Sequence, residues 1–222
     1  MRIIEQSARV LDPISKEDGI KALQLCEYAG RTCYNSTGKR TSDSYERFIR
    51  NIIQRGHTSV LEHGKVTLEV VTGRDVLAEI TRHRLCSFSV QSQRYVQADK
   101  EHGGIAFIKP DFYISPYGDK TDAKAWCASR EWEDGVSSAE ECYISMIQMG
   151  YPPEDARKVL PNSTATILVM TCNFRELLHI IELRTSVRAY PEMRTMMDKI
   201  ITALSDVLPP IWEWGKEEQA NA

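Results

Sequence analysis

The sequence TATILVMTCNFRELLH spans residues 164–179 and contains a sharp change of hydrophobic periodicity. Its first half, 164–171, is apolar and rich in β-branched residues, which predicts a buried strand. Asn173 with Glu176 three residues later is typical of a helix N-terminus, and Leu177, Leu178 and Ile181 supply the apolar residues of that helix. We therefore predict a strand that leads directly into a helix.

The same patterns recur on both sides of this junction. Residues 65–71 alternate apolar and polar side chains, which predicts a half-buried strand, and 103–119 predicts a loop with a short strand. Helices are predicted over 15–29, 42–55, 75–84 and 121–149 and from Pro191 onward, with Gly56 and Gly150 as terminators. The predicted fold class is α+β: a single domain over 1–222 with a central, largely antiparallel sheet flanked by helices.

Composition narrows the possible functions. The chain has 222 residues, 42% of them apolar and 27% charged, with a formal net charge of −3. Such a chain is not a general polyanion binder, so a phosphate site has to come from a local group of cations. Six cysteines without CxxC spacing predict reduced, mostly buried thiols. Without a signal peptide or an 18-residue apolar run, we expect a cytoplasmic protein that contacts neither membrane nor nucleic acid.

Residues 82–95, RHRLCSFSVQSQRY, hold three arginines, a histidine, three serines and two glutamines within fourteen positions. Guanidinium groups match phosphate oxygens in geometry, and serine hydroxyls add neutral donors. Alternatively, Arg82 and Arg84 only complement the carbonyl end of the preceding helix. The density of donors favours an anion site.

Two further groups are candidates. Arg175 and His179 are four apart on one helical face, and Arg184 and Arg188 repeat that spacing; snorkelling and an ion pair with Glu182 are the structural alternative. The segment GHTSVLEH at 56–63 contains two histidines and a glutamate, but no zinc motif supports them, and we predict no metal. Neither a GxGxxG segment nor a P-loop occurs, and no nucleophile is evident. Together with the phosphate-binding groups, this indicates that a cofactor carries the difficult chemical step.

These segments resemble one family. Arg82-His83-Arg84 followed by seven residues and Ser92 is similar to the RHR signature of flavin-dependent thymidylate synthases. GHTSVLEH resembles the family's GHxSxxEH segment, and GRTCY at 30–34 its N-terminal flavin-contact segment. The family's ARxxLP, N-x-R…LR and EIR blocks have counterparts at 156–161, 173–184 and 192–194. The order and spacing hold over about residues 28–200.

The resemblance implies a reductive methylation of dUMP to dTMP. The methylene would come from 5,10-methylenetetrahydrofolate and the hydride from reduced FAD, regenerated by NADPH, in a homotetramer. The implied FAD-binding residues are Ser59, Glu62, Arg82, His83, Arg84, Asn173, Arg175 and His179. The implied dUMP-binding residues are Glu79, Arg82, Gln91, Ser92, Gln93, Arg94, Arg157 and Arg184.

Two of the implied roles are catalytic. Arg184 would face the uracil and stabilise negative charge at N3–O2, and His57 would lie near the flavin and the reductant or folate. Some positions depart from the family: many members have Asn-Glu where this chain has Ser89-Val90, and Arg188 and Tyr190 stand where His and Gln are common. Two other interpretations stay open: an FAD-binding or phosphate-ligand enzyme without methyl transfer, and a module for single-stranded nucleic acid.

Overall fold

A computed structural model describes residues 1–96, 104–118 and 120–214. It combines helices with a four-stranded antiparallel sheet and a small parallel sheet. The α+β class with a largely antiparallel sheet and flanking helices, predicted from the sequence, is thus confirmed.

The strands and helices of the described residues follow in chain order. The strands are β1 (Arg2–Ile4), β2 (Ser7–Asp12), β3 (Lys65–Gly73), β4 (Cys86–Val90), β5 (Ala106–Ile108) and β6 (Ala165–Asn173). The helices are α1 (Lys16–Thr32), α2 (Ser44–Gln54), α3 (Arg74–Ile80), α4 (Ala123–Gln148), α5 (Pro153–Ala156), α6 (Phe174–Arg184) and α7 (Pro191–Ser205). Short 3-10 helices cover Thr37–Lys39, Thr58–His63 and Arg157–Val159.

The larger sheet has the order β2-β3-β6-β4, so its two long strands are central. β3 and β6 alternate buried and half-buried residues, as the sequence pattern requires for one covered face. In the smaller sheet β1 pairs with β5 in parallel, with Arg2 opposite Ala106 and Ile4 opposite Ile108.

The chain forms two compact units. The first unit comprises 1–7, 71–82 and, within the described residues, 90–168. The second unit comprises 8–70, 83–89 and, within the described residues, 169–214. The single domain predicted over 1–222 stays a prediction.

In the second unit, helices pack around the turn that precedes β3. α1 packs against α2 and against Thr58–His63, and α6 packs against Thr58–His63 and α7. Gly64 lies so close to Phe174 that a Cβ there would be 2.3 Å from the Phe174 ring, and the Phe174 N–H donates to the Gly64 carbonyl at 3.0 Å. Only glycine permits this approach, which holds Thr58–His63 at the start of α6.

In the first unit, α4 covers an apolar cluster. Ile105, Phe107, Val136, Tyr143 and Ala156 are all buried there. The Met1 ammonium is 2.6 Å from Glu140 of α4, and the Ile105 N–H donates to the same carboxylate at 2.9 Å. The N-terminal strand is thereby held beside α4.

Side-chain caps define the starts of α1, α4 and α6. The Ser15 hydroxyl accepts from the Asp18 N–H at 3.2 Å, the Asp122 carboxylate from the Ala125 N–H at 2.9 Å and the Asn173 side chain from the Glu176 N–H at 2.8 Å. Each cap satisfies a donor that the first helical turn leaves unpaired. The starts predicted near Ser15 and at Asn173 are confirmed.

Three expectations require correction. The helix predicted through Arg84 ends at Ile80, because the Thr81 N–H and hydroxyl both bond to the Leu77 carbonyl and close the last turn. β1, β2 and β4 were not predicted, although CSFSV at 86–90 carries the alternation of a strand. All six cysteines are free as predicted, but only Cys26 and Cys172 are buried.

None of the described helices is both long and apolar enough to cross a membrane.

Two glycines, Gly56 and Gly135, lie in different backbone conformations, and replacing them with alanine should change stability in opposite directions. Gly56 has φ +70°, and the N–H groups of Gly56 and His57 bond to the Ile53 and Ile52 carbonyls, which closes α2 in a Schellman motif. Gly135 is exposed inside α4, and a Cβ would meet nothing within 4 Å at either position.

We expect Gly56→Ala to lower the free energy of unfolding by about 1 kcal/mol, because alanine is strained at positive φ. We expect Gly135→Ala to raise it by about 0.5–1 kcal/mol, because alanine is the better helix former. Urea unfolding of both variants measures the two differences. Equal effects of the same sign would contradict this account.

Candidate functional site

A buried carboxylate organises the polar side chains of the second unit. Glu176 lies in the first turn of α6, and its side chain is 7% exposed. Its Oε1 is 3.1 Å from Nδ1 of His83 and 3.4 Å from Nδ1 of His179. The two imidazole rings meet edge to face, with centroids 5.7 Å apart. One carboxylate therefore holds both histidines.

The next contact determines the tautomer of His83. Arg184 Nε donates to His83 Nε2 at 3.0 Å. A guanidinium has donors and no acceptor, so Nε2 carries no proton and the proton is on Nδ1, from where it is donated to Glu176. The result is a directed chain from Arg184 through neutral His83 to Glu176, which fixes the orientation of the Arg184 guanidinium.

The electrostatics favour this neutral state. Burial is the main cause that lowers the pKa of His83 below its usual value, and the charges of Arg184 and His179 lower it further. The hydrogen bond and charge of Glu176 act in the opposite direction and are outweighed. Protonation of Nε2 would also place an N–H donor opposite the Nε donor of Arg184, so that neither group would have an acceptor.

The same residues offer a possible metal site. Ligand atoms of His83, Glu176 and His179 lie within 4.8 Å of one another. However, both ring nitrogens of His83 are already engaged, and the Arg184 cation is adjacent. This donor set fits a hydrogen-bonded chain better than a cation, and the absence of a metal stays a prediction.

The other residues predicted for the flavin lie in the second unit, apart from Arg82. Arg175 forms an ion pair with Glu62 at 2.6 Å, which links α6 to the Thr58–His63 turn. Ser59 in that turn and His57 directly before it are exposed, as is Arg84. The structure thus brings Ser59, Glu62, Asn173, Arg175 and His179 into one helix and the turn packed against it.

A cavity of about 440 Å³ lies within the first unit. Its wall includes four of the residues predicted to bind dUMP: Gln91, Ser92, Gln93 and Arg157. At this edge of the cavity, the Gln91 N–H donates to the Ile167 carbonyl at 2.8 Å, which holds the backbone of residue 91 beside β6. The volume falls within the usual range for small-molecule sites.

Other predicted nucleotide residues lie elsewhere in the same unit. The cavity wall, as far as the structure describes it, does not include Glu79, Arg82 or Arg94. Arg94 forms an ion pair with Glu154 at 3.1 Å and stacks on Tyr95. Glu79 lies in the last turn of α3, and its carbonyl accepts from the Arg82 N–H at 3.2 Å. Arg184, predicted for both substrate binding and catalysis, belongs to the second unit.

Several groups at the two sites were missed from the sequence. Arg2 and Tyr143 line the cavity, and Arg74 donates to the Thr166 hydroxyl of the cavity wall at 3.4 Å. Burial, and then the charge of Arg157, lower the pKa of Arg74. Glu176 was assigned only a capping role. Its contact with His179 lies within α6, but its contact with His83, 93 positions away, gives no signal within one segment.

Comparisons with known proteins agree with the sequence motifs. A family profile described as "Thymidylate synthase complementing protein" (Thy1) matches residues 18–210. The flavin-dependent thymidylate synthase of Haloarcula marismortui is 31% identical over 195 residues, which cover 82% of this chain and 79% of the relative. The probable flavin-dependent thymidylate synthase of Mycobacterium phage D29 is 34% identical over 200 residues, covering 86% and 82%.

The fold also has solved counterparts. A crystal structure of PolB, a UMP/dUMP methylase from Streptomyces cacaoi bound with 5-Br dUMP, matches with a TM-score of 0.79. The match covers 98% of this chain and 97% of that chain at 24% identity, and it shows a shared fold.

The protonation state of His83 predicts a pH dependence of stability. Its native pKa is lowered, so at pH values below about 6.5 the unfolded chain binds a proton that the native protein resists. As the pH is lowered from about 6.5 to the native pKa, the free energy of unfolding should therefore decrease. This group contributes at most about 1.4 kcal/mol per pH unit to the decrease.

We expect His83→Asn to flatten this part of the profile, because asparagine does not titrate. Urea unfolding between pH 7.5 and 5.5 measures the slope, and His63→Asn, at an exposed histidine, is the matched control. An unchanged slope in His83→Asn would show that the pKa of His83 is the same in the native and the unfolded protein, which contradicts a lowered native pKa.

Proposed function

Because the chain belongs to the Thy1 family of thymidylate synthase complementing proteins, we propose that it is a flavin-dependent thymidylate synthase that methylates dUMP to dTMP. The family resemblance inferred from the RHR motif is thereby confirmed. The proposal extends further: FAD as the bound cofactor, 5,10-methylenetetrahydrofolate as methylene donor, NADPH as reductant and a cytoplasmic homotetramer.

The observation that carries the proposal is the orientation of Arg184 by the RHR histidine. Methylation at C5 of a uracil requires that negative charge on the ring be stabilised as C5 becomes nucleophilic. A guanidinium remains charged at any relevant pH, and one held by a neutral imidazole is fixed before the substrate binds. We assign to Arg184 the stabilisation of charge at N3–O2.

The donor chemistry of the second unit supports FAD. The exposed Arg84 and Arg175 and the hydroxyl of Ser59 are of the type that binds a pyrophosphate. Bound FAD, once reduced, supplies the hydride that completes the methyl group.

The cavity in the first unit supports a nucleoside monophosphate. Arg2 and Arg157 provide guanidinium groups for the phosphate, while Gln91 and Gln93 provide amides and Ser92 a hydroxyl for the ribose and phosphate. We assign to Ser92 a binding role, because no base is placed beside it in sequence. His57, Glu79, Arg82 and Arg94 keep the roles that the family resemblance implies.

A direct assay tests the function. Purified protein supplied with FAD, NADPH, methylenetetrahydrofolate and dUMP tritiated at C5 should release tritium to water and form dTMP. Omission of the folate should abolish dTMP. Flavin binding without dTMP would favour a flavoprotein of other chemistry, and a colourless protein with salt-dependent affinity for single-stranded nucleic acid would favour a binding module.

Arg184 provides a specific prediction within that assay. We expect Arg184→Lys to reduce kcat about 100-fold to 1000-fold, because lysine lacks the planar fork and the Nε donor that His83 fixes. Arg47→Lys, at an exposed arginine of α2, is the control for an arginine replacement and should retain activity. Equal activity of the two variants would show that Arg184 does not take part in the reaction.

Glu176 acts through His83 and is a positioning residue. We expect Glu176→Gln to lower kcat roughly 10-fold while flavin binding persists, because a charge-assisted hydrogen bond is lost. Since the Glu176 carboxylate raises the pKa of His83, its removal should also move the acid limb of the pH profile of kcat to lower pH. Glu182→Gln, at an exposed position of the same helix, is the control. Identical pH profiles would mean that Glu176 has only a structural role.

A further inference from the structure

Two cysteine thiols face each other across neighbouring strands of the second unit. β4 and β6 are adjacent and antiparallel, and the Gln91 N–H donates to the Ile167 carbonyl at 2.8 Å. Counting back along β4 and forward along β6 from this pair places Cys86 opposite Cys172. Because hydrogen-bonded and non-hydrogen-bonded pairs alternate, this is a non-hydrogen-bonded pair, in which side chains lie closest.

The thiols themselves interact, and the interaction makes them unequal. A hydrogen bond from Cys172 lowers the pKa of the Cys86 thiol, although burial opposes the change. The same hydrogen bond, together with burial, raises the pKa of Cys172. Cys86 is half-buried and Cys172 is buried. One sulfur is therefore accessible and nucleophilic, and its neighbour is protected.

We propose that Cys86 and Cys172 form a reversible disulfide in response to peroxide, with Cys86 as the reacting thiol and Cys172 as the resolving thiol. The Cys86 thiolate attacks one peroxide oxygen and breaks the O–O bond, which leaves a sulfenic acid on Cys86 and releases hydroxide. The Cys172 sulfur then attacks the Cys86 sulfur, and the sulfenic oxygen leaves as water. Two thiols are oxidised and one peroxide is reduced to two water molecules.

The geometry required for this step is present without rearrangement. Facing residues of a non-hydrogen-bonded antiparallel pair have Cα atoms about 4.5 Å apart, within the usual range for a disulfide. Cys26 shows the contrast: it is buried, and desolvation raises its pKa to about 11, so it remains an inert thiol. Reactivity is thus expected at the pair and not at every buried cysteine.

The position of the pair gives the bond a consequence. Cys86 follows Arg84 by two residues, and Cys172 precedes Asn173, which caps α6. A disulfide would join the RHR segment covalently to the start of the helix that carries Glu176 and Arg184. The inference does not depend on the proposed reaction, since it requires only the two strands and an added peroxide.

The test uses the full chain with the exposed cysteines replaced, Cys33→Ser, Cys127→Ser and Cys142→Ser, so that three of the six thiols remain. After hydrogen peroxide, denaturation and alkylation, we expect one labelled thiol instead of three and full recovery with dithiothreitol. Trypsin should yield LCSFSVQSQR joined to VLPNSTATILVMTCNFR, residues 85–94 and 159–175. Mass spectrometry identifies this linked pair.

Cys86→Ser in the same background is the matched control. It should leave two alkylatable thiols, Cys26 and Cys172, before and after peroxide. Three labelled thiols in the parent after treatment, or a Cys86 peptide carrying sulfinic acid without the linked pair, would overturn the proposal. These outcomes are read from the peptides alone, so a protein that fails the thymidylate synthase assay still tests the thiol pair.

Discussion

A buried carboxylate has to be paired, and the polar architecture of the second unit follows from this requirement at Glu176. Its Oε1 accepts from His83 and lies within reach of His179, so two imidazoles from different segments are held at one point. His83, once it donates from Nδ1, has one acceptor left, and Arg184 uses it. Glu176 and Arg184 together thus fix the tautomer of His83, burial keeps its ring neutral, and His83 in turn fixes the direction of the guanidinium.

The β6–α6 junction makes this arrangement possible. Asn173 caps α6, which fixes the helical turn on which Glu176 lies. Phe174 packs against Gly64 at a distance that excludes any side chain at residue 64, and this brings the Thr58–His63 turn to the same helix. Directly before the cap lies Cys172, opposite Cys86. Capping, close backbone approach and side-chain chemistry are concentrated within a few residues, so a substitution that moves the start of α6 disturbs all of them.

The cavity of the first unit differs from this site, because several arginines lie around it. Arg2 and Arg157 line its cavity, and Arg74 is close enough to Arg157 for their charges to repel. Desolvated cations of like charge are unfavourable unless an anion or polar group compensates for them. A cavity that gathers guanidinium groups beside hydroxyl and amide groups is therefore suited to a phosphate ester, and it differs in character from the neutral, hydrogen-bonded chain around His83.

The sequence by itself determined the fold class, most helix starts and the family. Caps such as Ser15 and Asn173, terminators such as Gly56 and the alternation in β3 are local signals, because each depends on neighbours within a few positions. Gln91, Ser92, Gln93 and Arg157, which the family resemblance assigns to one ligand, line one cavity, and their role as dUMP-binding residues stays a prediction. The end of α3 at Ile80 was not, because a threonine hydroxyl that bonds its own helix competes with a favourable helical pattern.

Only the tertiary structure decided which of the charged residues meet. Arg184 and His83 are 101 positions apart, and Glu176 and His83 are 93 apart. No periodicity within one segment reports such a contact. Arg2 at the cavity, Arg175 with Glu62 and Cys86 opposite Cys172 depend in the same way on strand order, register and helix packing. Local hydrogen bonds and periodicity specify the elements, whereas partners for buried charges are specified by the packing that removes water from them.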